Sequence, residues 1–139
     1  MKQHDLDGVD DPVTARVLAT FFRVYNTLGW GFLEVVYRRS MAHALRQAGA
    51  SVVEEAPQSV YFEGRHVGEY RADLLVYDTV VVELKVVSQL APEHRAQVIN
   101  LLRASRIERG LLLNFGPKPE IKRIVFGNDR KRAHDPRVP

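Results

Sequence analysis

Tyr70-Arg-Ala-Asp73-Leu-Leu-Val-Tyr77-Asp-Thr-Val-Val-Val-Glu83-Leu-Lys85-Val-Val87 decides how this chain folds. Leu74–Tyr77 and Val80–Val87 are apolar and rich in β-branched residues, and Asp78-Thr79 has turn character, so the stretch predicts a hairpin. Three charges interrupt an otherwise buried pattern: Asp73, Glu83 and Lys85. A buried strand accommodates charges only when they are paired or hold an ion. Side chains alternate along a strand, which puts Glu83, Lys85 and Val87 on one face and Val82, Leu84 and Val86 on the other. A three-residue turn, Tyr77 to Thr79, pairs Val76 with Val80 and sets Asp73 opposite Glu83. A two-residue turn would send Asp73 to the wrong face. Two carboxylates with an ammonium beside them form a hard oxygen site. Such a site suits Mg²⁺, which is held by one or two carboxylates and completes its shell with water and phosphate.

Outward from the hairpin, the chain predicts helices on both sides. Asp11-Pro12 reads as an N-cap followed by proline at the first helical position. Val13, Val17, Phe21, Val24 and Leu28 then recur at helical spacing until Gly29 stops the helix. A second helix is expected from about Leu33 to Ala48, closed by Gly49, with Leu33, Tyr37, Met41, Ala44 or Leu45, and Ala48 facing inward. Glu34 falls in its first turn, where position alone is explained by the helix terminus. Ser51–Val53 and Gln58–Phe62 read as extended pieces separated by Pro57, with a turn at Glu63-Gly64-Arg65. Ala91-Pro92 opens a third helix through about Ser105, with Gln97, Leu101 and Ala104 along one edge. Arg109–Phe115 reads as a central strand covered on both sides, and Glu120–Phe126 as a more exposed one. The expected fold class is therefore α/β: a mixed sheet flanked by helices, in the order α-α-β-β-β-α-β-β. We expect one domain over residues 1–126 and a basic, loose tail over 127–139.

Composition narrows the function classes. The 139 residues include no cysteine, which excludes disulfides, thiolate zinc sites and a cysteine nucleophile, and fits a cytoplasmic location. No run is long enough for a membrane helix, and the first residues lack the order of a signal peptide. The net charge of +3 is mostly in the tail, where Arg130, Lys131, Arg132 and Arg137 face Asp129 and Asp135. Bulk charge therefore makes no case for nucleic acid, and any such case rests on the site. The five histidines lack zinc spacing, and no serine sits in a nucleophile-elbow motif.

An Asp on one strand followed by Glu-x-Lys on the next, with a helix Glu before and a helix Gln after, resembles the PD-(D/E)xK nuclease superfamily, whose fold is restriction-endonuclease-like. Here those residues are Asp73, Glu83-Leu84-Lys85, Glu34 and Gln97. Gly31-Phe-Leu-Glu34-Val-Val-Tyr37 further resembles the signature of the GxxExxY proteins, a branch of that superfamily. Arg71–Val76, Val82–Lys85, His94–Gln97 and Leu113–Gly116 resemble its other blocks. Two departures stand out: Ala72 replaces the proline of the motif, and Trp30 occupies the Gly-x-Gly turn. The resemblance implies a divalent metal, Mg²⁺ or Mn²⁺, held by Asp73, Glu83 and the carbonyl of Leu84. It implies Lys85 as the group that orients or deprotonates water and stabilises the transition state. Glu34 and Gln97 are its catalytic helpers, and DNA or RNA is the substrate. One site cuts one strand, so a homodimer is the expected oligomer. The competing expectation is a non-catalytic module on the same fold that binds nucleic acid or protein, with the charged residues serving as an ion network.

Overall fold

A computed structural model describes residues 11–131. Within them lie helices α1 (Pro12–Leu28), α2 (Glu34–Gln47) and α3 (Pro92–Arg103), and strands β1 (Val52–Phe62), β2 (Arg65–Val76), β3 (Val80–Lys85), β4 (Arg109–Phe115) and β5 (Pro119–Val125). Chain order follows the expected α-α-β-β-β-α-β-β pattern. The strands form one mixed sheet in the order β1-β2-β3-β4-β5; β3 and β4 are parallel and the other pairs antiparallel. Helix α3 makes the crossover that a parallel pair requires.

Two apolar layers hold the sheet. Val80, Val82 and Leu84 of β3 pack with α1 and α2 through Phe21, Tyr37, Met41 and Leu45. Val81 and Leu112 pack on the other side with Val98, Leu101 and Leu102 of α3. Asp11 caps α1, accepting hydrogen bonds from the Val13 and Thr14 N–H groups at 3.2 and 3.3 Å. It also pairs with Arg109 of β4 at 3.1 Å, tying the helix start to the sheet. Phe115, at the end of β4, stacks on Tyr37 with ring centroids 4.1 Å apart and meets Phe21 edge-on at 4.8 Å.

Several local expectations need correction. Ser51–Val53 and Gln58–Phe62 are parts of one strand, which runs straight through Pro57. The sheet tolerates this because β1 is an edge strand, the place in a sheet where proline is found. Leu33 and Ala48 do not belong to the buried stripe of α2; both are exposed just outside the helix ends. Of the expected tail, Asn128–Arg130 form a short 3₁₀ turn, and the Lys131 ammonium donates to the carbonyls of Ser105 and Ile107 at 2.9 and 2.7 Å. The rest of that tail lies outside the described residues.

The turn after β4 is closely packed. The Asn114 side chain is fully buried; it donates to the Val87 carbonyl at 2.9 Å and to Glu120 at 2.7 Å, and accepts from the Val87 N–H at 3.0 Å. Glu120 in turn accepts from the Leu90 N–H at 3.0 Å, so the segment leaving Lys85 is held against β4 and β5. A Cβ on Gly116 would lie 2.2 Å from the Val87 carbonyl oxygen and 2.8 Å from Asn114 Nδ2. Gly116→Ala is therefore expected to lower stability by about 1–3 kcal/mol, the usual cost of overpacking. Chemical denaturation reads this directly, and an unchanged midpoint would show that the Val87 segment gives way freely.

Candidate active site

The expected register holds. Val76 pairs with Val80, Leu75 with Val81 and Leu74 with Val82 across the Tyr77–Thr79 turn. Tyr77 and Asp78 both take positive φ, and the Thr79 N–H donates to the Val76 carbonyl at 3.0 Å. Beyond Leu74 and Val82 the two strands part. The carboxylates occupy the opening and take over the backbone hydrogen bonds. Asp73 Oδ2 accepts from the Leu84 N–H at 2.7 Å, and Glu83 Oε1 accepts from the Asp73 N–H at 3.0 Å. Each carboxylate thus spends one oxygen on the backbone of the facing strand.

An irregularity on the opposite side contributes. Glu55 of β1, opposite Asp73, has φ +50°, and no regular pair forms there between Glu54/Leu74 and Ala56/Ala72. The faces switch at this point. Leu74 and Val76 point to the α1/α2 layer, whereas Ala72 points to the α3 layer. A left-handed residue in a strand bends it and re-aims its neighbours, and here the bend falls at Asp73.

Glu34, in the first turn of α2, joins the same group. Its carboxyl and that of Asp73 share a hydrogen bond, and Lys85 and Arg38 act on both through their charge. Burial pushes Glu83, only 7% exposed, up to about 8, with the neighbouring Asp73 charge adding to the effect. Asp73 is raised by burial, against the opposing pull of the Leu84 N–H and Lys85. Glu34 is raised by burial of its carboxyl and then by Asp73. The structure therefore brings Glu34, Asp73, Glu83 and Lys85 together. Leu84 has a fully buried side chain, so only its backbone faces the cluster. Gln97 is exposed on α3, and no hydrogen bond among the described residues joins it to the other four. His94 is used structurally: its Nδ1 accepts from the Ala91 N–H at 2.9 Å at the start of α3.

Sequence reasoning passed over Arg38, one helical turn after Glu34. It also bridges to Glu54 and Glu55 at 3.4 Å each, beside the bend in β1. The signal was the Glu34/Arg38 spacing of four.

Among the described residues no group of three or more His, Asp or Glu side chains forms a cage for a metal ion. The donor set that is present fits a less enclosed arrangement. Two strand carboxylates, each held by one backbone N–H, are hard oxygen donors of the kind that hold an ion keeping much of its water.

The excess protons in this cluster make stability depend on pH. In the folded, metal-free protein Glu83 stays protonated until about pH 8, whereas in the unfolded chain it ionises near 4.5. Between these values the folded state holds more protons, so stability falls as pH rises. The melting temperature of chelator-treated protein is expected to drop from about pH 5 to about pH 8. Glu83→Gln, which keeps an oxygen for the Asp73 N–H, should flatten that slope. An equal slope in the variant would remove Glu83 as its source.

The model of the PD-(D/E)XK nuclease superfamily matches residues 11–124, and the chain belongs to that superfamily. Among solved structures, the crystal structure of SSO0001 is similar, with a TM-score of 0.54 and 17% identity over 66% of this chain and 50% of that one. At that identity the likeness shows the fold, which is restriction-endonuclease-like; this chain matches half of that protein's length. No curated protein is similar enough to match.

Proposed function

We propose that this protein is a metal-dependent nuclease that hydrolyses phosphodiester bonds of DNA or RNA at the Asp73/Glu83/Lys85 cluster. The observation that carries the reading is the parting of β2 from β3, where acids from two strands and a helix meet one lysine. The Gly31–Tyr37 block supports placing the chain in the GxxExxY branch. Asp73, Glu83 and the Leu84 carbonyl hold Mg²⁺ or Mn²⁺. When bound, the ion neutralises charge on the scissile phosphate and makes water easier to deprotonate.

The protein groups do the positioning. The Lys85 ammonium orients the attacking water and binds the phosphate oxygen on which charge develops. Glu34, raised by burial and hydrogen-bonded to Asp73, keeps the Asp73 carboxyl in place. Water attacks phosphorus, the P–O ester bond breaks, and the products are a phosphate monoester and an alcohol. Gln97 contacts the phosphate once substrate is bound, since it lies exposed in the free protein. That separation is also what favours the second reading, a module that binds nucleic acid or protein without cutting it. Incubating the protein with single- and double-stranded DNA and RNA, with Mg²⁺ or with chelator, tests the choice. Chelator-sensitive cleavage is expected, and binding without cleavage would favour the second reading.

Among the described residues no helix is long and apolar enough to cross a membrane. The absence of cysteine supports a cytoplasmic setting. We further propose a homodimer, because one site cuts one strand and two-fold pairs are the commonest assemblies. Light scattering at about tens of micromolar, adequate for interfaces of ordinary affinity, is expected to give twice the chain mass; a monomer mass would refute the dimer.

A further inference from the structure

The loop between α1 and α2, Gly29-Trp30-Gly31-Phe32-Leu33, is unusual for what it leaves in water. Trp30 is 59% exposed, Phe32 48% and Leu33 76%. None of the three belongs to either apolar core. Exposed large apolar groups lying side by side mark contact surfaces.

This loop is also held in place. The Tyr37 hydroxyl donates to the Gly29 carbonyl at 2.7 Å and accepts from the Phe32 N–H at 3.3 Å. The Phe32 ring meets the Tyr37 ring edge-on at 6.2 Å, and Tyr37 is itself stacked on Phe115 in the core. Gly29 and Gly31 take φ values of +68° and +111°, which only glycine adopts readily, so the backbone path is built for this shape. A surface fixed beforehand binds without the entropic cost of ordering a loop.

Its position identifies what it meets. The residue after Leu33 is Glu34, which is hydrogen-bonded to Asp73 in the acid cluster. The Arg38 and Lys85 charges act on that same pair of acids. Exposed aromatic side chains two and four residues before Glu34, on which Arg38 and Lys85 act, match the needs of a nucleotide: a base to stack and a phosphate to neutralise. Only an unpaired base offers its flat face, because in a duplex both faces are covered by neighbours. We propose that Trp30 and Phe32 form a stacking platform for an unpaired nucleotide, so that the substrate enters as single-stranded nucleic acid. The inference rests on the nuclease reading of the adjoining cluster and names its substrate class.

Trp30 is the only tryptophan in the chain, so its emission reports on this loop alone. The experiment titrates the full chain with a short oligo-thymidylate, and separately with a blunt duplex, in chelator and low salt so that nothing is cut. Saturable quenching by the single strand at much lower concentration than by the duplex is expected. Trp30→Ala should weaken binding of a labelled oligo-thymidylate by about 5- to 150-fold, the usual worth of one stacked base. Trp30→Phe should recover most of it, and neither variant should change the melting temperature. Binding without quenching, equal response to duplex, or full affinity in Trp30→Ala would overturn the platform while leaving the nuclease reading intact. A dimer that dissociates in Trp30→Ala would also overturn it, by assigning the surface to a second copy. If no nucleic acid is bound or cleaved under any condition, the platform and the nuclease reading fall together.

Discussion

Asp73→Ala is expected to abolish both the proposed divalent-metal binding and the proposed phosphodiester cleavage. Asp73 provides one of two strand carboxylates at the opening, and a hard ion held by two such groups does not survive the loss of one. The same oxygen set accepts the Leu84 N–H at 2.7 Å, so alanine also leaves a donor without its partner, at a cost of about 1–3 kcal/mol. Asp73→Asn separates the two effects. Its amide oxygen still accepts from Leu84, so melting is expected to stay near that of the wild type while metal binding and cleavage disappear. Calorimetric titration with Mg²⁺ or Mn²⁺, a nuclease assay and thermal melts on both variants check this. If the acids served only as an ion network, removing a member would destabilise the fold by about 3–5 kcal/mol, with no metal binding to lose.

Lys85→Ala is expected to give the opposite separation: metal binding should stay while cleavage falls by on the order of 10²-fold or more, the usual loss for one electrostatic group in the transition state. The proposed oxygen ligands, Asp73 and Glu83, are untouched by this change. The acids lose a nearby cation that favours their ionised forms, so protons compete harder for the site and metal affinity weakens most at low pH. Lys85→Arg is not expected to restore activity, because guanidinium does not give up a proton and presents a wider, planar head. Equal loss of metal binding in Lys85→Ala would show that the lysine acts through the ligands and not on the substrate.

The central hairpin was legible in the sequence because its constraints are local. The alternation through Val80–Val86 fixes the faces of β3, and the length of the Tyr77–Thr79 turn fixes the register that brings Asp73 to Glu83. Asp11-Pro12 and Gly29 likewise marked the ends of α1, because cap chemistry is written in single residues. What was not legible depends on neighbours distant in sequence. The bend at Glu55 involves no glycine to announce its positive φ, yet it helps aim Asp73. Pro57 reads as a strand breaker until β1 is known to lie at the sheet edge. Leu33 fits the helical spacing of α2 but precedes the helix, and its exposure follows from the loop that Tyr37 pins. The Asn114 clamp on Val87 joins segments 27 residues apart, and no local pattern predicts it. Glu34 is the intermediate case. Its position alone suggested a helix-end charge, and only the fold places its carboxyl against Asp73.

Crystals of the wild-type protein soaked in Mn²⁺ and measured for anomalous scattering test the metal site most directly. One peak is expected between the Asp73 and Glu83 carboxylates, next to the Leu84 carbonyl. A fully soaked crystal with no peak there, or with manganese only at surface carboxylates elsewhere, would contradict the proposed site.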